Sequence, residues 1–409
     1  MIAATATFAL AATEADAQSR PTCPPETGSA CSINQTQSDD VTGAVNLDVS
    51  VGQLSVSTLA RGNNVQGGVT RASGAVISRQ SVTGAVVAQS TTDLNGVSEG
   101  GFASTTQASG NHLQVYTDNA TFDVTASQSA RGDNVSARSN LRAPTAHILQ
   151  GGSASTAASA NTVALGGPST ILTGAVDQSS QTTVFAETVA DVQYIPAAMS
   201  FASDAQANSV QAVTTGASHQ DLAITQTNAP STVEARTNVY VDNAWNLTGS
   251  SSAAANRAVL QNAGGSMLAA TDQTNQGRVR AVTEVQTNLQ GQTVASARAV
   301  ANEVVAGNND IYLKLDNNQL NTGGVEATTT YAGVKGYDSY SSADAAGNSV
   351  TGYSCSQCGG DVNFTNTQVN NGSVTATNNT TIANPGRNAV VGANAVGNTA
   401  TFYISRPGG

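Results

Sequence analysis

Apolar and polar residues alternate with a period of two along most of the chain. Residues 233–241 place Val, Ala, Thr, Val and Val at every second position, and residues 222–226 do the same with Leu, Ile and Gln. Alternation of this kind predicts half-buried β-strands. The Gln/Asn/Gly stretch between two such strands predicts a turn, because Asn and Gly adopt positive φ at low cost.

A sequence mark of the form A-x-[AG]-N recurs along the chain at intervals of 46 to 50 residues. Its asparagines are Asn63, Asn111, Asn161, Asn208, Asn256, Asn302, Asn348 and Asn398. This mark and a second one, described in the next paragraph, stay in phase over the whole chain. Random low-complexity sequence is not expected to show such a phase. A repeat of about 48 residues is therefore predicted.

The second mark is Q-x-N-x-G-x-V, which is clearest at residues 273–279 and 368–374. Its glutamines are Gln35, Gln80, Gln128, Gln178, Gln226, Gln273, Gln319 and Gln368. The matching valines are Val41, Val86, Val135, Val184, Val233, Val279, Val325 and Val374.

The repeat predicts an all-β fold, a β-solenoid of about eight strand–turn–strand units. One unit is too thin to bury a core, whereas stacked units bury rows of Val, Ala and Thr and align the marked Asn and Gln into hydrogen-bonded ladders. A repeat could form one wide rung or two narrow ones. Because rungs of 20–25 residues are common, two narrow rungs are the favoured prediction.

Charged residues near the marked valines support stacking, because their signs alternate from repeat to repeat. One column contains Arg138, Glu187 and Arg236, and a second contains Glu234, Arg280 and Glu326. Opposite charges attract across neighbouring strands. Glu187 and Arg236 are therefore predicted to lie on one face, with Cα atoms within ~10 Å.

Composition narrows the class of protein. The 409 residues include 39 Gly but only nine Tyr, seven Phe and one Trp, and the net charge is −11. With 16 Lys and Arg in total, no basic stripe exists for nucleic acid. No apolar run is long enough for a transmembrane helix. A disordered Gln/Asn-rich tract is the competing interpretation, and the phased alternation argues against it.

The N-terminus predicts export. Residues 2–12 are a short apolar run that leads to the A-x-A pattern at residues 15–17, which is typical of a cleaved leader. The basic segment that usually precedes such a run is missing, and an Ala-rich disordered terminus is the alternative. The predicted organisation is a leader at 1–17, a polar segment at 18–31 and a repeat domain at 32–409.

The four cysteines form two closely spaced pairs, Cys23/Cys31 and Cys355/Cys358. In an exported chain both spacings predict local disulfides, with redox or metal chemistry of the C-x-x-C pair as the alternative. The second pair accompanies three extra residues between Asn348 and Gln368, which predicts a bulging loop.

Chemistry-bearing motifs are scarce. His112, His147 and His219 lack metal-spaced neighbours, and no calcium loop, P-loop or G-x-S-x-G is present. The sequence therefore predicts a non-enzymatic protein with no cofactor. A polysaccharide-acting β-helix enzyme, a lyase or hydrolase, is the alternative. Four residues beside the cysteine insertion are a candidate glycan surface, with edge packing as the competing interpretation: Tyr331, Tyr337, Tyr340 and Tyr353.

Two family resemblances follow from these marks. The spaced Gln, Asn and Gly of residues 273–277 resemble the curlin repeat of bacterial functional amyloids in style, although curlin units are about half as long. As a whole, with its length, its leader and both marks across residues 32–409, the chain resembles the D component of the holdfast anchor system of stalked alphaproteobacteria. The missing basic segment of the leader departs from that pattern.

The resemblance to the holdfast family implies an exported protein at the outer membrane and cell surface that helps to tether an adhesive polysaccharide. Its implied partners are an outer-membrane lipoprotein, a small companion anchor subunit and the polysaccharide adhesin. Independently of the resemblance, the open strand edges at the two ends of a solenoid predict self-association into an amyloid-like polymer.

Overall fold

The structure is a computed structural model that describes residues 30–310, 312–355 and 361–405. The predicted leader and nearly all of the polar segment after it lie outside these residues. Within them the chain is all-β and contains no helix. The strands are β1 (Ala30–Gln37), β2 (Val41–Val51), β3 (Leu54–Thr70), β4 (Ser73–Val82), β5 (Val86–Ser98), β6 (Phe102–Asp118), β7 (Thr121–Ala130), β8 (Asn134–Ile148), β9 (Gly152–Pro168), β10 (Ile171–Ser180), β11 (Thr183–Thr215), β12 (His219–Asn228), β13 (Thr232–Ala263), β14 (Ser266–Asn275), β15 (Arg278–Asn308), β16 (Tyr312–Asn321), β17 (Val325–Cys355), β18 (Asp361–Asn370) and β19 (Val374–Ser405).

Each strand pairs in parallel with the equivalent strand of the next repeat, which gives a solenoid-like stack. The short strands form one sheet in the order β1-β4-β7-β10-β12-β14-β16-β18, and the long strands form the other. Val184 pairs with Val233, and Asn208 pairs with Asn256 in the same two strands. One full repeat therefore advances the chain by a single strand spacing.

The prediction of two narrow rungs per repeat is wrong, because each repeat makes one wide coil. In the coil of β10 and β11, the chain runs along β10, turns, and continues along β11 to an irregularity between Ile195 and Ala198. There it reverses, and the return half, residues 199–215, lies opposite both preceding segments. Thr188 Oγ1 donates to Ala202 O at 2.9 Å, and Asn161 Nδ2 in the previous return half donates to Ser179 O in β10 at 2.9 Å.

The interior consists of three apolar columns that run along the stack. The central column is built from Ala and Val alone, for example Val184, Ala186 and Ala205. The flanking columns contain larger side chains such as Phe122 and Phe201. Small residues occupy the centre because the two layers approach closely there, and burying each Val or Leu contributes about 1.5–3 kcal/mol.

The alternating charges are neighbours, as the sequence predicted. Glu187 and Arg236 are direct Cα partners in adjacent strands. Arg280 contacts Glu234 at 3.2 Å on one side and Glu326 at 3.5 Å on the other. Partial burial alone raises the pKa of Glu326, but the hydrogen bonds and charges of Arg278 and Arg280 outweigh it and lower that pKa.

The glycines of the Q-x-N-x-G mark are required for close stacking. The predicted reason, a positive φ, is wrong for Gly277, Gly323 and Gly372, whose φ values lie outside that region. A Cβ on Gly323 would lie 1.9 Å from Gly277 O, and a Cβ on Gly372 would lie 1.8 Å from Gly323 O. Only glycine lets the backbones of successive turns approach this closely.

No helix in the part of the chain that the structure describes has the length and apolar character needed to cross a membrane.

Candidate functional site: interior polar ladders and an exposed aromatic ridge

The marked asparagines form one continuous column inside the stack. Each side-chain Nδ2 donates to the Oδ1 of the marked asparagine in the next coil, as Asn208 does to Asn256 at 2.8 Å. The same Nδ2 atom uses its other hydrogen to donate to a backbone carbonyl of the opposing short strand, which for Asn208 is Thr227 O. The column contains Asn63, Asn111, Asn161, Asn208, Asn256, Asn302, Asn348 and Asn398.

The marked glutamines form a second column with the opposite direction. Gln226 Nε2 donates back to Gln178 Oε1 in the preceding coil at 2.8 Å and also to Arg257 O at 3.0 Å. The same pattern links Gln35, Gln80, Gln128, Gln178, Gln226, Gln273, Gln319 and Gln368.

Backbone carbonyls fix the direction of both ladders. A carbonyl oxygen only accepts, so the amide end that faces it must be the nitrogen. The asparagines therefore donate toward the C-terminal coil and the glutamines toward the N-terminal coil. The stack has a defined polarity, and the two rows of amide dipoles oppose one another.

A third ladder of asparagines lies at the turn and was not predicted from the sequence. Asn275 Nδ2 donates to Asn321 Oδ1 at 2.8 Å and to Gly277 O at 2.9 Å. The column contains Asn228, Asn275, Asn321 and Asn370. The signal was present in the sequence, because these residues are the asparagines of the Q-x-N mark in four successive repeats.

The four tyrosines of the predicted glycan surface do not form one surface. Tyr331 is 1% exposed and hydrogen bonds Gln290 inside the core, so its inclusion was wrong. It continues the inward alternation of residues 325, 327 and 329, which is the reason for its burial. Tyr337 lies at the bend of β17 and Tyr340 beside it, whereas Tyr353 is roughly 40 Å further along the strand. Tyr353 packs over Gly307.

An exposed aromatic ridge is present instead where the long strands bend. Trp245, Gly291 and Tyr337 occupy the same position in three successive coils, and Arg387 lies at the bend of the next one. Trp245 is 55% exposed and Tyr337 50% exposed. Their ring centroids are 6.1 Å apart at an interplanar angle of 69°. We refer to these four residues as the aromatic ridge.

Gly291 allows the two rings to meet across the coil that separates them. A Cβ at this position would lie 2.4 Å from Trp245 O and 3.0 Å from Trp245 Cδ2. On the other side, the Arg387 guanidinium lies 5.0 Å from the centroid of the Tyr337 ring. The ridge is therefore held by packing along the stack, although its rings face solvent.

Polar side chains border the ridge on both sides. Asp338 accepts from Arg387 at 2.8 Å and from Asn388 at 3.0 Å. Asn288 Nδ2 donates to Asp242 at 2.6 Å and to the Tyr240 hydroxyl at 3.2 Å. Aromatic faces flanked by carboxylates and amides suit a sugar, whose C–H face packs on a ring while its hydroxyls form hydrogen bonds.

A charged cluster lies on the outer face of the return halves. Glu303 pairs with Arg257 at 3.0 Å and with Arg298. Burial raises the pKa of Asp204, and hydrogen bonds to Ser252 and Gln206 and the charges of the two arginines offset only part of this effect. A hollow of about 270 Å³ adjoins the cluster at Arg298 and Asp344.

The structure places Cys31 in a disulfide. The side chains of Cys23, Cys355 and Cys358 lie outside the described residues, so both predicted pairings stay predictions. The connection between β17 and β18 is longer than those before β12, β14 and β16. Within the described ranges, no group of three His, Cys, Asp or Glu side chains could hold a metal ion.

Fold and surface together define a repetitive all-β protein that stacks through interior amides and presents Trp245 and Tyr337 on an exposed ridge. Residues 48–324, more than half of the chain, match the family model of holdfast attachment protein D, HfaD. The chain belongs to this family. Comparisons with the curated proteins and with the solved structures give no match.

Proposed function

We propose that the protein is a non-enzymatic structural component of holdfast attachment, exported to the cell surface, that tethers an adhesive polysaccharide to the outer membrane. Its partners in this proposal are an outer-membrane lipoprotein, a small companion anchor subunit and the polysaccharide. Self-association as an amyloid-like polymer of about eight-coil units is part of the same proposal. Membership of a holdfast attachment family supports it.

The aromatic ridge is the observation that carries the glycan-binding role. Trp245 and Tyr337 project from bends two coils apart in a rigid stack, so their spacing does not depend on a flexible loop. Ring faces that are preorganised in this way bind a sugar chain without a further cost for ordering the protein side chains. Asp338 and Asn388 beside them supply hydrogen-bonding groups for hydroxyls.

Binding of the purified chain to isolated holdfast polysaccharide tests this role. Trp245→Ala combined with Tyr337→Ala should weaken binding at least about tenfold, which corresponds to about 1.4 kcal/mol. Tyr116→Ala is the matched control, because Tyr116 is 56% exposed on a distant part of the stack. Cells that produce the double variant should shed their adhesin, as cells lacking the protein should. Equal binding by the double variant and the control would contradict the proposal.

The charged cluster around Glu303 favours the second candidate, a polysaccharide lyase or hydrolase. Arg298 and Asp344 line the adjoining hollow, and Asp204 has a raised pKa, which are features that polysaccharide cleavage also uses. Incubation of the chain with acidic polysaccharides, followed by measurement of chain length, separates the two functions. Cleavage that is lost in Glu303→Gln would replace the structural proposal.

A further inference from the structure

The two amide ladders end in unused groups of complementary kind. In the last coil, Asn398 Oδ1 accepts from Asn348 at 2.7 Å, but its Nδ2 donates to no described residue. Gln368 Nε2 donates to Gln319 Oε1 and to Thr399 O, and its own Oε1 accepts from no described residue. Among the described residues, this end of the stack therefore has one amide donor and one amide acceptor without a partner.

The first coil shows the reverse arrangement. Asn63 Nδ2 makes both of its hydrogen bonds, to Ser81 O and to Asn111 Oδ1, while its Oδ1 accepts from no described residue. Gln35 Nε2 donates to Asn64 O, whereas every later glutamine of the ladder donates twice. Within the described part of the chain, the first coil therefore has an unpaired acceptor in the asparagine column and an unpaired donor in the glutamine column.

We propose that a second copy of this chain stacks head to tail on the first, with the C-terminal coil of one copy against the N-terminal coil of the next. Asn398 Nδ2 then donates to Asn63 Oδ1 of the second copy, and Gln35 of the second copy donates to Gln368 Oε1. Both ladders continue across the junction without a change of direction. The proposal rests on the proposed self-association but not on glycan binding.

Apolar side chains on the two ends fit the same register. With Asn398 above Asn63, Val391 of the last coil lies above Val56 and Phe402 above Gly67. Val391 is 51% exposed and Phe402 43% exposed. The equivalent positions two coils earlier, Ala295 and Ala306, are fully buried. A Cβ at Gly67 would meet nothing within 4 Å, which leaves space for the Phe402 ring.

The ladders also select against other arrangements. If two copies were joined by identical ends, the side-chain amides of one column would meet donor to donor. Those of the other column would meet acceptor to acceptor. An unrelated protein on the same edge could pair with the backbone, but it would not continue both amide columns. Because buried amides without partners are costly, the second copy is the favoured occupant.

Asn398→Asp tests the junction without disturbing the coil that carries it. The carboxylate still accepts from Asn348, but it cannot donate and would face Asn63 Oδ1 of the second copy. Sedimentation of the purified chain should show association weakened at least about tenfold, equivalent to about 1.4 kcal/mol. Asn238→Asp, which makes the same charge change at an exposed position on the outer face of β13, away from both ends of the stack, should associate as the native chain does.

Cross-linking establishes the direction of stacking. Leu59 and Asn394 both face outward and align across the proposed junction, with Cα atoms about 4.8 Å apart, within disulfide range. Mixing Leu59→Cys chains with Asn394→Cys chains under oxidising conditions should give mixed dimers, with the native chain as background. Three outcomes would each overturn the proposal. The chain could stay monomeric unless another envelope protein is added, the cross-linked dimers could contain only one of the two cysteine variants, or the two aspartate variants could associate equally.

Discussion

Asn208 donates its side-chain amide to Asn256 at 2.8 Å, although 48 residues separate them in the chain. The same amide bonds Thr227 O across the core and accepts from Asn161. One side chain therefore joins three coils and also links the two layers of the stack. Along the asparagine and glutamine columns, the interior side-chain amides are hydrogen bonded from coil to coil, as the backbone amides are. This pairing requires every coil to have the same register.

Asn208→Ala should destabilise the chain by about 3–9 kcal/mol, because three buried groups lose a partner at a cost of about 1–3 kcal/mol each. Urea denaturation followed by circular dichroism measures the change. Asn238→Ala is the matched control, because Asn238 lies exposed on the outer face of β13. A loss no larger than that of the control would show that the ladder does not hold the stack.

Gly323→Ala should destabilise the chain, although the lower conformational entropy of the unfolded variant would by itself stabilise the folded state by up to ~1 kcal/mol. The added Cβ would lie 1.9 Å from Gly277 O, so the turn would have to separate from the preceding coil. Gly392→Ala provides the control, since its Cβ would meet nothing within 4 Å. Thermal unfolding of both variants compares them, and equal melting temperatures would contradict the stacking argument.

Much of the stack could be predicted from sequence because a repeat and a period of two are both local signals. The phase of the marks aligns Asn208 with Asn256, and the charge alternation pairs Glu187 with Arg236. The coil width could not be predicted in this way. It depends on where the long strand reverses. Pro196 lies in the irregularity between Ile195 and Ala198, but the equivalent bend of β13 at Trp245 contains no proline, so no sequence signal marks the reversal in every repeat.

The aromatic ridge lay beyond sequence reasoning for a different reason. Trp245 and Tyr337 are two repeats apart, and they meet only because Gly291 stands between them in the stack. The tyrosine cluster near the cysteines was defined by closeness along the chain, which a wide coil spreads over tens of ångströms. The burial of Tyr331, by contrast, was predictable from its alternation with Val325 and Thr329.

Asp204→Asn should stabilise the chain at neutral pH. The pKa of the Asp204 carboxyl is raised by burial, so the folded state binds its proton more tightly than the unfolded state does. Below the ordinary value of about 3.9 both states are protonated and the native residue costs nothing. As the pH rises through the raised pKa, the carboxylate ionises and the native chain loses stability relative to the variant. Urea denaturation at several pH values should show the difference in unfolding free energy between the variant and the native chain widen with rising pH and then level off. A difference that is independent of pH would contradict the prediction.

Arg280→Glu should destabilise the stack through charge alone. Arg280 lies 3.2 Å from Glu234 and 3.5 Å from Glu326, so reversal replaces two attractions with two repulsions. Each of these four contributions is worth about 0.2–1 kcal/mol, which gives a loss of about 1–4 kcal/mol. The loss should shrink in 1 M salt, where the screening length falls to about 3 Å. Arg79→Glu is the control, because it makes the same change of net charge at an exposed residue without an ion pair to any described residue. It separates the effect of the lost ion pairs from the effect of the net charge. If both variants lost equal stability at low salt, the alternating column would not contribute to stacking.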